Sequence, residues 1–191
     1  MEIKLNTPLK IDEIDFRVQS ISKSGRATIL AYKDARVDMN RLDAVYGVDG
    51  WQKKYDLIDG KLFCSVGIYS EKLKQWIWKQ DVGTESNTEK EKGQASDAFK
   101  RACFNLGIGR ELYDYPLISI PLLETDWYKA DEKGNKITDP NYKGKIYPKT
   151  TFNFKLKEWK WGSEFDENGV LIKLAAKDEN GNLRFNWKKQ K

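Results

Sequence analysis

Histidine is missing from all 191 residues, and cysteine occurs only twice, at Cys64 and Cys103. The first absence removes both the commonest general base and the commonest zinc ligand. Serine triads, Cys–His nucleophiles and Cys/His zinc fingers are excluded with it. The two cysteines form no CxxC pair. Cys64 lies in an apolar strand-like run and Cys103 on the apolar face of a helical segment, so both read as buried free thiols in a reducing compartment. No apolar run approaches the roughly 20 residues of a membrane span. The opening stretch MEIKLNTPLKIDEIDF alternates charged with apolar side chains and has no h-region, which argues against a signal peptide and makes the cytoplasm the expected compartment. There is no GxxxxGK[ST] phosphate loop, and GIGR at 107–110 lacks both a downstream lysine and a preceding strand. A metal-dependent nuclease would need Asp81, Glu89 and Lys92 to converge, and with 29 acidic residues such triplets arise by chance. The expectation is therefore a protein that is not an enzyme, with no cofactor and no metal.

What is present is an ample charged surface: 33% of residues are charged against 39% apolar, with a net charge of +5. The basic excess is thin and spread evenly, so it permits a polyanionic partner without demonstrating one. A chain of this length can build one domain with a substantial core and a small appendage.

Hydrophobic periodicity organises the first 115 residues. Phe16–Ile21 and Arg26–Tyr32 read as strands around a Ser-Lys-Ser-Gly turn, with Ala27, Ile29 and Ala31 on one face. RVDMNRLDAVYG then offers Val37, Asn40/Arg41 and Ala44/Val45 at helical spacing, with Gly47 as a C-cap. Trp51–Tyr55 leads into two more strands, KLFCSVGIYS and QWIWKQDVG, joined around Glu71–Lys74. Trp76 and Trp78 alternate with Gln75 and Ile77, and at least one face of that strand should be core. A polar loop at 84–92, read as mobile, precedes a helix over about 92–106. Ala95, Ala98, Phe99, Ala102, Cys103 and Leu106 form its buried stripe, and Gly107 and Gly109 end it. This is an α+β pattern with a mostly antiparallel sheet and packed helices. Residues 1–116 form the expected core domain and 117–150 an extended or partly disordered connector. Residues 151–191 form a small β appendage, in which Leu171–Lys177 and Leu183–Lys188 flank a strong turn signal.

Three groups of residues suit a nucleic-acid backbone. Arg101 falls opposite the helix's apolar stripe with Lys100 at its flank, the two side by side facing outward, and cations on a rigid helix hold phosphates with little ordering cost. Phe104 lies on the same polar side and could stack on a base or pack on a neighbour. Lys23, Arg26, Tyr32, Lys33 and Arg36 interleave basic and aromatic side chains along the first hairpin, and Trp51 with Lys53 and Lys54 adds a further patch. Each group also reads as an ordinary solvated surface.

Three ordered blocks carry a resemblance beyond these patterns: AYKDARVDMNRLDAVYGVDGW (Ala31–Trp51), the strand pair ending in QDVGT (Gln80–Thr84), and KG…SDAFKRA…GIGRELYD (Lys92–Asp114). Over about 100 residues the chain resembles the Sak/DdrA branch of the Rad-fifty-two superfamily of single-strand annealing proteins. The resemblance implies a β-β-β-α annealing core and a ring of copies whose basic groove carries single-stranded DNA, phosphates inward and bases outward. It implies ATP-independent annealing of complementary strands in recombination or repair, in a bacterium or bacteriophage. Duplex formation would supply the free energy. It places the family's basic pair on Lys100 and Arg101, a further basic position on Lys92, the groove aromatic on Tyr32, and the hairpin cation on Arg26 or Lys23. A third helix position, basic in eukaryotic members, is Phe104 here, so Arg110 would have to supply that charge. A single-strand-binding protein or a companion exonuclease would be further partners. The alternatives are a metal-dependent nuclease and a non-catalytic oligomeric assembly factor.

Overall fold

The computed structural model describes residues 3–84 and 90–190, with the side chains of 90–92 left undescribed. In chain order the elements are β1 (Asp15–Ile21), β2 (Arg26–Tyr32), α1 (Ala35–Tyr46), β3 (Trp51–Ile58), β4 (Lys61–Ser70), β5 (Gln75–Val82), α2 (Lys90–Asn105), β6 (Ile118–Pro121), β7 (Trp127–Ala130), β8 (Tyr147–Thr150), β9 (Lys160–Phe165), β10 (Leu171–Lys177) and β11 (Leu183–Lys188). The fold is α+β, and every strand pairing among the described residues is antiparallel. Among the described residues no helix is long and apolar enough to cross a membrane. The expected loop at 84–92 falls mostly outside the described residues.

The chain divides into two compact units: Met1–Leu9 with Lys33–Tyr113, and Lys10–Tyr32 with Asp114–Lys191. This differs from the expected boundaries at 116 and 150, and the cause is a long-range pairing. β2 pairs with β6, Ile29 opposite Ile118 and Ala27 opposite Ile120, so the first hairpin joins the C-terminal residues. Ala27, Ile29, Ile118, Ile120, Leu156, Trp159, Leu171, Leu174 and Ala176 form one core, in which strands from distant parts of the chain meet a short 3-10 segment and its cap, Leu156 and Trp159. The stretch expected as a connector, 117–150, contains β6, β7 and β8. A short 3-10 segment at Leu156–Glu158 leads into β9, and β10 and β11 match the expected hairpin to the residue.

In the first unit, β3, β4 and β5 form a three-stranded meander. Asp59 and Gly60, at φ 49° and 72°, make the two-residue turn between β3 and β4, a conformation that favours Gly and Asp or Asn. Opposed residues share a face of a sheet. Trp51, Ile68 and Ile77 lie in one row, Lys53, Val66 and Lys79 in the next, and Tyr55, Cys64 and Asp81 in a third. Helix α2 covers this face, burying Ala98, Phe99, Ala102 and Cys103 against it. The close approach depends on Gly83, where a side chain would collide with the Gln94 carbonyl and Ala98. Gly107 and Gly109, at φ 109° and 73°, turn the chain after α2 as the sequence predicts.

Helix α1 is capped by Asp34, whose side chain accepts from the Arg36 amide, and ends at Gly47. Its buried residues are Asp38, Arg41 and Leu42, so of the expected stripe through Val37, Asn40/Arg41 and Ala44/Val45 only Arg41 is buried. Polar partners explain the shift. Arg41 donates to the carbonyls of Thr7 (2.6 Å) and Lys4 (3.3 Å), strapping the N-terminal segment to the helix. Asp38, wholly buried, pairs with the buried Lys33.

Candidate nucleic-acid interface

Helix α2 supplies the centre of the basic surface. With Ala98, Ala102 and Cys103 turned into the sheet, the helical repeat leaves Arg101 facing outward, and its side chain is 44% exposed. Its Nε reaches Asp81 Oδ1 of β5 at 3.3 Å. Asn105, one turn on, donates to Asp81 Oδ2 at 3.2 Å. Lys100 is half-buried and points elsewhere, toward the start of α1. Asp34 there is held below the usual carboxylate range chiefly by its hydrogen bond from Arg36, with Lys100 adding its attraction. Burial raises Asp38 to about 6 against the pull of Lys33, Lys100 and Arg41. The adjacent pair thus diverges: one cation sits over the sheet edge and the other over the α1 terminus.

Lys53 joins this surface. Its Nζ lies 4.6 Å from the Phe99 ring centroid, in cation–π range. Lys54 does not, because successive strand residues point to opposite faces. It extends from the other side of the sheet, 5.6 Å from the Trp78 ring centroid and 3.7 Å from Asp56. The expected Lys53–Lys54 patch is therefore split between two faces. Trp51 is tied to Asp43 through its indole N–H at 2.7 Å.

Arg110 follows α2 and caps it, donating to the carbonyls of Phe104 (2.9 Å) and Asn105 (3.0 Å). Its guanidinium also sits 5.6 Å from the Phe104 ring centroid. Phe104 in turn packs on Tyr113 with centroids 4.7 Å apart. The helix position without a basic residue is thus flanked by one from the next turn of chain. Arg36 lies at the exposed start of α1 with its Nε 2.8 Å from Asp34. Lys92 belongs to α2, but its side chain lies outside the described residues.

The other proposed positions belong to the second unit. Lys23 is exposed in the β1–β2 turn. Arg26, at the start of β2, donates to Ser119 Oγ and to the Ser119 carbonyl, both at 3.1 Å. Tyr32 closes the strand, half-buried, with the Arg17 guanidinium 5.7 Å from its ring centroid. Six residues of extended strand put Arg26 and Tyr32 about 20 Å apart. Lys33, grouped with them by sequence, is buried in the first unit by its ion pair with Asp38 and faces no solvent groove.

Neither thiol adds chemistry. Cys64 and Cys103 are both free and buried, and burial pushes Cys64 up to about 11 and Cys103 higher still. Among the described residues no group of three or more His, Cys, Asp or Glu is arranged to hold a metal ion. Of the weighed nuclease triplet, Asp81 is engaged by Arg101 and Asn105, and Glu89 lies outside the described residues.

Reading by sequence missed one feature of this unit. Trp76 and Trp78 lie on the sheet face away from α2 and stay 37% and 41% exposed. Their alternation marked a shared face; nothing local showed that the helix would cover the opposite one.

No family model matches the chain. Two curated proteins do. The chain is similar to DdrA. The single-stranded DNA-binding protein DdrA of Deinococcus radiodurans is 38% identical over 93 residues, covering 48% of this chain and 43% of that protein. Its namesake in Deinococcus deserti is 34% identical over 116 residues, 59% of this chain and 56% of that protein. The chain spans about half the length of the curated relatives it matches.

Proposed function

We propose that this chain binds single-stranded DNA and anneals it to a complementary strand in recombination or repair, without nucleotide hydrolysis. The observation that carries the reading is the similarity to the two DdrA proteins, each named a single-stranded DNA-binding protein. The geometry of the first unit supports it. Arg101, Lys53 and Arg110 surround α2 on a rigid helix-and-sheet frame, each with at most modest competition from a carboxylate, carbonyl or ring. Lys100 extends the positive field toward α1, and Lys92 precedes it on the same helix. Cations held this way bind a phosphate backbone irrespective of sequence and leave bases free to pair.

In this reading the chain is a Rad-fifty-two-type annealing protein of a bacterium or bacteriophage. It has the β3-β4-β5-α2 meander and helix as its core and works as a homo-oligomer, with copies lining up their cationic helices. Lys23, Arg26 and Tyr32 of the second unit contribute a second run of contacts, and base pairing itself supplies the free energy.

The test is binding of fluorescein-labelled oligo-dT and annealing of two complementary labelled strands, without magnesium or nucleotide. Wild type should bind and anneal, and affinity should fall steeply with salt because phosphate contacts release counterions. Lys100→Ala/Arg101→Ala should lower affinity and shrink the single-strand log–log salt slope by about 1.4, two contacts at about 0.7 each. Full annealing by that variant would place the DNA elsewhere.

A further inference from the structure

The face of the β3-β4-β5 sheet turned away from α2 is not covered by any helix among the described residues, yet it carries a row of aromatic rings. Tyr69 pairs directly with Trp76 across β4 and β5, their ring centroids 5.6 Å apart, and Trp76 lies 6.2 Å from Trp78. Such rings on an open sheet are costly to hydrate, and two of them are more than a third exposed.

The seat of Trp78 shows how the ring is presented. It pairs with Gly67, and a Cβ on that glycine would come within 2.9 Å of Cε3, Cζ3 and Cη2 of the indole. Contact with three atoms of one ring means that the indole lies flat on the Gly67 backbone. One π-face is pinned to the sheet, and the other is turned outward. On the far side of Gly67 in the same row stands Gln52, exposed, with a side-chain amide able to meet a base edge. Lys54, 60% exposed, holds its ammonium 5.6 Å from the same ring. A flat aromatic surface, an adjacent amide and an exposed cation match the base face, the base edge and the phosphate of a nucleotide.

We infer that this face is a base-stacking platform for single-stranded DNA, with Trp78 and Trp76 as the stacking rings and Lys54 meeting the phosphate. The inference rests on the proposed DNA-binding function but concerns a surface on the opposite side of the sheet from Arg101 and Lys53. Stacking there is indifferent to base identity because every base has a π-face. It would hold bases still while the cationic helix face neutralises backbone.

The experiment compares wild type, Trp76→Ala/Trp78→Ala and Trp76→Phe/Trp78→Phe on labelled oligo-dT and on an abasic strand of equal length. The alanine pair should weaken oligo-dT binding on the order of tenfold to a hundredfold, with the salt slope unchanged because stacking displaces no counterions. The phenylalanine pair should recover most of the affinity. Abasic binding should be equal in all three proteins. Equal oligo-dT binding by wild type and the alanine pair overturns the platform while leaving the helix face intact. A smaller assembly by light scattering, with abasic binding lost in parallel, overturns it in favour of contact between copies. Failure of wild type to bind either strand overturns this inference together with the proposed function.

Discussion

Replacing Asp81 by Asn should make the protein bind single-stranded DNA more tightly. Asp81 holds Arg101 through a single contact of 3.3 Å, and Arg101 is 44% exposed. An ion pair this open to solvent is worth about 0.2–1 kcal/mol. A phosphate recruiting Arg101 must first break it. Asparagine keeps the shape and one oxygen, which can go on accepting from the Val82 amide at 2.8 Å, while the weaker 3.2 Å bond from Asn105 is given up with the charge. Relieving the competition should therefore tighten binding by about 1.4- to 5-fold, since each 1.4 kcal/mol is a factor of ten. The single-strand salt slope should steepen by at most about 0.7, one additional phosphate contact. Fluorescence anisotropy with labelled oligo-dT at low and moderate salt measures both quantities. Arg101→Ala and the double variant complete a thermodynamic cycle. If Asp81→Asn gains as much in the Arg101→Ala background as in wild type, Arg101 is not the group released. If it weakens binding, the carboxylate is positioning the guanidinium rather than competing for it, and the reasoning fails.

Other outcomes follow from the buried groups. Burial holds Asp38 at about 6 even beside Lys33, so the folded state keeps its proton to higher pH than the unfolded chain does. The contribution of Asp38 to stability should thus fall as pH rises from about 4 to about 6, and Lys33→Met should prolong that fall past 6, by about 1.4 kcal/mol at pH 7 and little at pH 5. Urea titrations at the two pH values check this, and an equal loss at both would point to packing instead. Gly67→Ala should displace the Trp78 ring and cost about 1–3 kcal/mol by overpacking, visible as a lower melting temperature and altered tryptophan emission. Both thiols should resist iodoacetamide at pH 8 in the folded protein and react in urea, because burial keeps them protonated; rapid labelling of the native protein would contradict their placement.

Local patterns made much of the fold legible. The Ser-Lys-Ser-Gly turn, the Gly47 cap, the buried stripe of α2 and the C-terminal hairpin are each written in short windows of sequence. What escaped depends on residues far apart in the chain. The union of β2 with β6 joins residues 93 positions apart, as in the Arg26–Ser119 bond. Lys33 looks like a surface lysine until Asp38 and the close-packed Gly109 enclose it. At the candidate site, the amphipathic period of α2 correctly turned Arg101 outward. It could not show that Asp81 would meet it or that Lys100 would lean toward another helix. The split of Lys53 from Lys54 was readable in principle, since strand alternation alone requires it.

The interleaved path of the chain has a practical side. Because residues 10–32 fold with 114–191, a protein shortened after residue 116 would retain the first hairpin yet lose the strands that shelter Ala27 and Ile29. Such a fragment would display a greasy, half-built sheet and tend to clump, whatever the health of its helical neighbour. Isolating the helix-bearing half calls instead for excising the hairpin along with the tail and rejoining Leu9 to Lys33 through a short flexible bridge.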